Sequence, residues 1–214
     1  MAIYAIGDLH LSFSSDKPMD VFGDKWLKHY DKIKDNWIEK VTDDDLVLIP
    51  GDISWAMKLD DALIDLEWIH KLPGNKVLLK GNHDFWWSSL SKLNKLHDDM
   101  FFLQNNYYGY EGYGICGARG WLCPNPVKFE EHDEKVYQRE GHRLKMSLES
   151  AKAAGYDKFI VMLHYPPTNE ELEQSIFKDI IESYNVEKVI YGHLHNEDSF
   201  NKGLRGEHEG VEYY

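Results

Sequence analysis

The chain is short of cysteine, of basic charge and of long apolar runs, and each shortage closes off a class of protein. Cys116 and Cys123 are its only cysteines, and they do not form a C-x-x-C pair. That removes a disulfide framework and a thiolate zinc site, and leaves two reduced, inert thiols as the expectation. Lys and Arg number 24 against 37 Asp and Glu, a formal net charge of −13. Such a molecule repels phosphate backbones and anionic membrane surfaces, so nucleic acid is not an expected partner. No apolar stretch approaches the roughly 20 residues that span a bilayer, so no membrane segment is expected. Met1 leads almost directly into Ile3-Tyr4-Ala5-Ile6, without the basic flank or cleavage site of a signal peptide. A cytoplasmic location is the resulting expectation.

There is also no internal repeat and no low-complexity linker to divide the 214 residues. A chain of this length with 43% hydrophobic residues can bury a substantial core, and one domain over residues 1–214 is expected. The segment His208–Tyr214 reads as the start of a further strand.

Compact runs rich in Val, Ile and Leu recur at Ala2–Ile6, Leu46–Ile49, Lys76–Leu79, Phe159–Leu163 and Val186–Tyr191. Their length and lack of alternation predict strands buried on both faces. Between them, Trp26, Tyr30, Ile33, Trp37 and Val41 step by three or four, as do Leu59, Ala62, Leu66 and Ile69, so each set marks one face of a helix. Further helices are expected over Glu134–Ala154 and Asn169–Ser183. Alternating strands and helices predict an α/β fold with a largely parallel sheet. Residues 101–129, rich in Tyr, Gly and Pro, read as a hairpin and a long loop near the site.

What the sequence does contain is a series of short polar runs at the exits of those strands: GDLH at 7–10, GD at 51–52, GNHD at 81–84, a lone His164 and GHLH at 192–195. Asp8 and His10, two apart in an extended segment, would point to one side and share an ion. Asp52 follows Gly51, where a missing side chain permits a sharp turn, and its two oxygens can bridge two ions. Asn82 offers a neutral carbonyl oxygen, His83 beside it points elsewhere, and His164, His193 and His195 add imidazoles. A sulfur-free mixture of nitrogen and oxygen ligands suits manganese, iron, zinc or cobalt better than magnesium or calcium. Two divalent ions less the charges of Asp8, Asp52 and one hydroxide leave a locally positive pocket, fit for a phosphate group.

These residues resemble the calcineurin-like metallophosphoesterases, whose pattern D-x-H, G-D, G-N-H-D/E, H, G-H-x-H is met motif for motif from Asp8 to His195. The resemblance implies a four-layer α/β/β/α sandwich with two mixed sheets, and hydrolysis of a phosphomonoester or phosphodiester. It implies two divalent or mixed-valence transition-metal ions: one held by Asp8, His10, Asp52 and His195, the other by Asp52, Asn82, His164 and His193. Water bound to such ions, with a pKa lowered to about 7, would attack phosphorus in line. His83 is the expected catalytic residue at the leaving oxygen, with Asp84 fixing its orientation. After Asp52 the chain reads Ile53-Ser54-Trp55, where many relatives carry a further acidic or amide residue.

Arg119, Trp87 and Tyr165 are candidate substrate contacts, with Trp86 and Trp121 as weaker ones: a guanidinium can clamp phosphate, and aromatic rings can wall a site. Arg139 and Arg143 read as a helix surface laced with ion pairs. His29, His70, His97, His132, His142 and His208 read as surface residues outside the site. Gly112-x-Gly114-x-x-Gly117 spells a dinucleotide fingerprint, but no helix pattern follows it, so turns explain the glycines better. The expected partner is a small phosphorylated substrate. The rival readings are a metal-binding scaffold of the same fold without catalysis and a nuclease, which would need a basic track that the sequence lacks.

Overall fold

The computed structural model describes residues 1–214. Ten strands run in chain order: β1 (Ile3–Ala5), β2 (Leu46–Ile49), β3 (Asn75–Leu79), β4 (Met100–Leu103), β5 (Tyr108–Tyr110), β6 (Tyr113–Ala118), β7 (Phe159–Leu163), β8 (Val186–Tyr191), β9 (Gly206–His208) and β10 (Val211–Tyr213). The helices are α1 (His29–Lys40), α2 (Leu59–His70), α3 (Leu90–Leu93), α4 (Glu131–Ala153), α5 (Ile176–Glu182) and α6 (Glu197–Lys202). No helix is long and apolar enough to cross a membrane.

Two sheets form: β1-β2-β3-β4, and β5-β6-β7-β8-β10-β9. The expectation of two mixed sheets is corrected for the first, in which every pairing is parallel. Successive strands there lie side by side and point the same way, so each connection must cross back over the sheet, and α1 and α2 supply the first two returns. Only the second sheet is mixed, with antiparallel pairs at both edges.

The sheets pack face to face because the strands are apolar on both sides. Leu46 and Leu48 of β2, Val77 and Leu79 of β3, Ile115 of β6 and Ile160 and Met162 of β7 form the central layer. The alternate residues Val47 and Ile49 face outward onto Trp37 of α1 and Leu66 of α2. Val161, Leu163 and Val189 meet Leu144 and Leu148 of α4 and Phe177 and Ile181 of α5. The result is the α/β/β/α layering expected from the resemblance.

Several element boundaries differ from the sequence reading, for local reasons. Helix α4 begins three residues early because the Asp133 carboxylate accepts the Glu130 N–H, closing the first turn. Conversely, 169–175 is not helical. The Asn169 side chain accepts the N–H groups of Glu171 and Glu173, Leu172 adopts φ 57°, and Ser175 caps α5 by accepting from Lys178. Residues 101–129 are more than a hairpin and loop: they finish β4 and supply β6, which pairs in parallel with β7. Gly114 and Gly117 therefore sit inside a strand, against Ala151 of α4 and the carbonyl of Met162, and open no nucleotide-binding helix.

Candidate metal centre

The polar runs leave the C-terminal ends of β1, β2, β3, β7 and β8, which all open on one rim of the two sheets. The loops after β1 and β2 continue side by side: Asp8 N–H donates to Gly51 O (3.0 Å), His10 N–H to Asp52 O (2.9 Å), and Leu11 N–H to Ile53 O (3.0 Å). This corrects the extended reading of Asp8 and His10. Both are left-handed, at φ 56° and 45°, as are Asp52 at 52° and His193 at 73°. Four non-glycine residues held in this costly region within one site indicate that surrounding contacts override their local preference. Gly81 has the complementary role. A Cβ there would lie 2.1 Å from Asp52 Oδ1, so only glycine lets the third loop close on the second.

The seven expected ligand residues converge. His10 Nε2 lies 3.2 Å from His195 Nε2 and 3.9 Å from both Asp8 Oδ1 and Asp52 Oδ2. His195 Nε2 is 3.5 Å from Asp8 Oδ1. On the other side, His164 Nε2 lies 3.5 Å from Asp52 Oδ2, 2.7 Å from Asn82 Oδ1 and 3.3 Å from His193 Nδ1. Two groups with potential ligand atoms result, Asp8, His10, Asp52 and His195, and Asp52, His164 and His193, with Asp52 common to both.

The donors and acceptors fit cations and little else. Asp8 Oδ2 accepts the His193 N–H and Asp52 Oδ1 accepts the His83 N–H, while Asp8 Oδ1 and Asp52 Oδ2 are buried without any hydrogen-bond partner. His164 Nδ1 donates to Pro50 O at 3.0 Å, so its Nε2 carries a lone pair that faces Asn82 Oδ1. Two acceptors face each other at 2.7 Å, an arrangement that a cation between or beside them relieves. The Pro50 contact also fixes the tautomer that a ligating imidazole needs.

The electrostatics agree. Burial, partly opposed by the His193 N–H, pushes the Asp8 carboxyl up to about 7. Burial and the nearby Asp84 push Asp52 up to about 8. Burial and neighbouring histidines lower His10 to about 3 and His193 to about 4, and hold His164 well below its usual value. The imidazoles are thus neutral, as ligands must be, and the carboxylates lack the positive charge that would stabilise them.

His83 sits beside this cluster with its ring 5.9 Å from that of His10 and 4.4 Å from Trp55, and no protein group hydrogen-bonds its side chain. Burial, then Lys17, lowers its pKa, so the ring is neutral at pH 7. The expectation that Asp84 orients it is corrected. Asp84 is fully buried and accepts instead from Ile53 N (2.9 Å), Ser54 N (3.1 Å), Gly81 N (2.8 Å) and Trp86 Nε1 (3.0 Å). It joins the loop carrying Asp52 to the loop carrying Asn82.

The candidate substrate contacts fare differently. Trp86 is core, and the Trp87 indole packs on Phe102 and donates to Gln104. Tyr165 is buried with its ring 4.2 Å from that of His193, and Trp121 packs against Tyr165 while donating to Asp133. Arg119 turns to Glu140. Two residues at the site escaped the sequence reading. Trp55 stacks on His10 at 4.9 Å and 22°, holding a ring whose Nδ1 has no hydrogen-bond partner. Its position had registered only as a departure from an acidic or amide pattern. His29, read as a surface residue, is buried with Nε2 2.9 Å from Leu9 O and Nδ1 3.3 Å from Trp26 O; a neutral ring donating from Nε2 to the nearer carbonyl braces the first motif. A histidine at the start of an amphipathic helix carries no signal of that long-range bond. Cys116 and Cys123 are free and buried, with thiols pushed up to about 12 by burial.

An α/β/β/α sandwich whose strand ends gather aspartates, an asparagine and histidines around orphaned carboxylate oxygens defines a class of metal-centred hydrolases. The chain belongs to the calcineurin-like phosphoesterase family, whose model matches residues 1–197. No curated protein matches the sequence. Among solved structures, the chain is similar to the phosphopantetheinyl hydrolase PptH from Mycobacterium tuberculosis, at 14% identity and a TM-score of 0.56, over 99% of this chain and 86% of that one. It also matches AQ665, a protein of unknown function from Aquifex aeolicus, at 20% identity and a TM-score of 0.46, over 95% and 94% of the two chains.

Proposed function

We propose that the chain is a dinuclear, metal-dependent phosphoesterase that hydrolyses a phosphomonoester or phosphodiester of a small molecule. The observation that carries this reading is the pair of buried, unpartnered oxygens, Asp8 Oδ1 and Asp52 Oδ2, facing neutral imidazoles on either side. In this reading Asp8, His10, Asp52 and His195 hold one ion, and Asp52, Asn82, His164 and His193 hold the other. Manganese, iron or zinc suits the ligand set. Two such ions supply an activated water for in-line attack and positive charge for the phosphoryl oxygens.

The chain's own residues supply the rest. Asp52, with Oδ1 fixed by the His83 N–H, keeps Oδ2 free to serve both sides. His83, neutral and without a protein partner, can donate a hydrogen bond to the phosphoryl or leaving oxygen. Trp55 packs against the rings of both His10 and His83 and so holds a candidate ligand and the candidate catalytic residue in place.

The complete ligand set and the free His83 favour catalysis over a non-catalytic scaffold. The charge of −13 favours a small substrate over a nucleic acid. The test is metal analysis of the purified chain with turnover of an aryl phosphomonoester and an aryl phosphodiester in added manganese. About two transition-metal ions per chain together with turnover are expected. A chain that takes up no metal on reconstitution and hydrolyses neither ester would overturn the proposal.

A further inference from the structure

A second polar cavity, of about 230 Å³, opens on the same rim as the candidate metal centre. Lys80 at the end of β3, Asn105 after β4 and Arg119 at the end of β6 line one side of it. Arg139, Glu140 and Arg143 of α4 line the other. Its lining adjoins the site through the backbone. Lys80 directly precedes Gly81-Asn82, and the Arg119 carbonyl accepts the N–H groups of His164 (3.0 Å) and Tyr165 (2.9 Å).

The charges there do not balance. Glu140 is buried, and all three guanidinium groups approach the same oxygen, Oε1: Arg143 at 3.3 Å, Arg119 at 3.4 Å and Arg139 at 3.7 Å. One arginine suffices to neutralise a buried carboxylate, and a two-pronged pair would use both of its oxygens. Here three guanidiniums share one oxygen, and the Lys80 ammonium has no ion-pair partner. Arg139 and Arg143 form the ion pairs along α4 that their spacing led one to expect, and the acid they share with Arg119 is buried. Four cations against one carboxylate leave a concentrated positive charge in a chain of net −13.

Two buried polar atoms point to the same conclusion. Arg119 Nε has no acceptor, and Asn105 Oδ1, on a residue with φ 60°, has no donor. A pocket built only to neutralise Glu140 would leave neither, because a buried unpaired donor or acceptor is costly. A phosphate group satisfies both features. Its oxygens accept from guanidinium forks and from an ammonium, and a hydroxyl beside it can donate to Asn105.

We propose that this cavity is a subsite for a second phosphate group of the substrate, so that the chain prefers doubly phosphorylated small molecules to monophosphates. The proposal rests on the phosphoesterase reading for the identity of the ligand as substrate, but the subsite's affinity for phosphate is independent of the metals. Two measurements separate these. In the first, inorganic pyrophosphate is titrated into metal-stripped chain by calorimetry, where no ion remains between Asp8 and Asp52 to hold it at the metal centre. Binding is expected, weakened about tenfold by Lys80→Met and again by Arg143→Gln. Lys80 has no ion pair to lose, so its variant decides the matter if Arg143→Gln fails to fold. In the second, kcat/KM for an alkanediol bisphosphate is compared with that for the matching monophosphate in metal-loaded chain. The ratio is expected to favour the bisphosphate and to fall about tenfold in the Lys80 variant.

No pyrophosphate binding at millimolar concentration, or binding unchanged in Lys80→Met, overturns the subsite even if the chain hydrolyses aryl phosphates. Pyrophosphate binding without any preference for the bisphosphate overturns its role toward substrate. Binding that the variants weaken, in a chain inactive on every ester, supports the anion site and overturns the phosphoesterase reading alone.

Discussion

Replacing Asp84 by Asn tests whether this carboxylate holds the site together or serves His83. Its Oδ1 accepts three donors, Ile53 N, Ser54 N and Trp86 Nε1, and its Oδ2 accepts the Gly81 N–H. An asparagine of the same shape keeps the threefold acceptor by pointing its oxygen there, which forces its NH2 toward Gly81 N–H, donor against donor. Losing the negative charge removes a burial penalty and weakens the three remaining bonds, and these effects oppose each other. What remains is one lost bond with a buried donor unsatisfied, about 2 kcal/mol. For a chain of this length that lowers Tm by roughly 4–8 °C. Asp84→Ala orphans all four donors and should cost at least about 4 kcal/mol, a large part of the stability of an ordinary domain. The assay is thermal and urea unfolding of metal-stripped and metal-loaded chain, with metal content determined in parallel. Because Gly81 adjoins Asn82, the variant should also hold its second ion more weakly. If Asp84→Asn unfolds within about 0.5 kcal/mol of the parent when stripped, and alters only the pH profile of turnover, the clamp is refuted and an orienting role toward His83 is restored.

Three further outcomes are expected. His83→Ala should retain both metal ions by elemental analysis while turnover of an aryl phosphate falls about 10²–10⁴-fold, since the ring sits beside the ligand cluster without being needed to close it; unchanged turnover would remove its catalytic role. Gly81→Ala, whose Cβ would meet Asp52 Oδ1 at 2.1 Å and Asp52 N at 2.2 Å, should lose metal and cost roughly 3 kcal/mol, read by elemental analysis and urea unfolding. Lys76→Met should cost about 2 kcal/mol or more, because the buried Lys76 ammonium holds Asp99 at 2.6 Å and the carbonyl of Leu72 beyond α2. Burial alone would raise the Asp99 carboxyl, but hydrogen bonds from Lys76 and His70 leave it below its usual value. Its stabilisation is therefore present above the unfolded pKa near 4 and is lost as pH falls through the lower folded value. The difference between parent and variant in urea unfolding should accordingly begin to shrink near pH 4 and reach its minimum only below the lowered folded value of Asp99.

How much of this molecule was legible beforehand depends on whether a feature is local. Strands β2 and β7 coincide with their apolar runs, because a stretch buried on both faces needs only to be apolar and bounded. The convergence of Asp8, Asp52, Asn82, His164, His193 and His195 was legible for a related reason: parallel strands bring their C-terminal ends to one rim, so residues just past each end meet. The conformation at those ends was not. Asp8, His10 and Asp52 are left-handed where neighbouring loops zip together through Asp8 N–H to Gly51 O and His10 N–H to Asp52 O, and His193 where its N–H reaches Asp8 Oδ2; no propensity of Asp or His predicts that. Side-chain partnerships across the fold were equally hidden. Asp84 follows His83 in sequence but bonds backbone about thirty residues away, and Arg119 after β6 meets Glu140 of the helix packed on that sheet. The two halves of the site thus differ in kind. The part that would act on any phosphoester consists of strand-end residues set by topology, whereas the part that would choose among esters, Lys80 and Asn105 with the arginines of β6 and α4, depends on how a helix packs against the second sheet. Residues set by topology are marked by motifs, whereas those of the candidate subsite meet only through packing contacts, which is why the candidate metal centre could be read from motifs and the candidate subsite only from the structure.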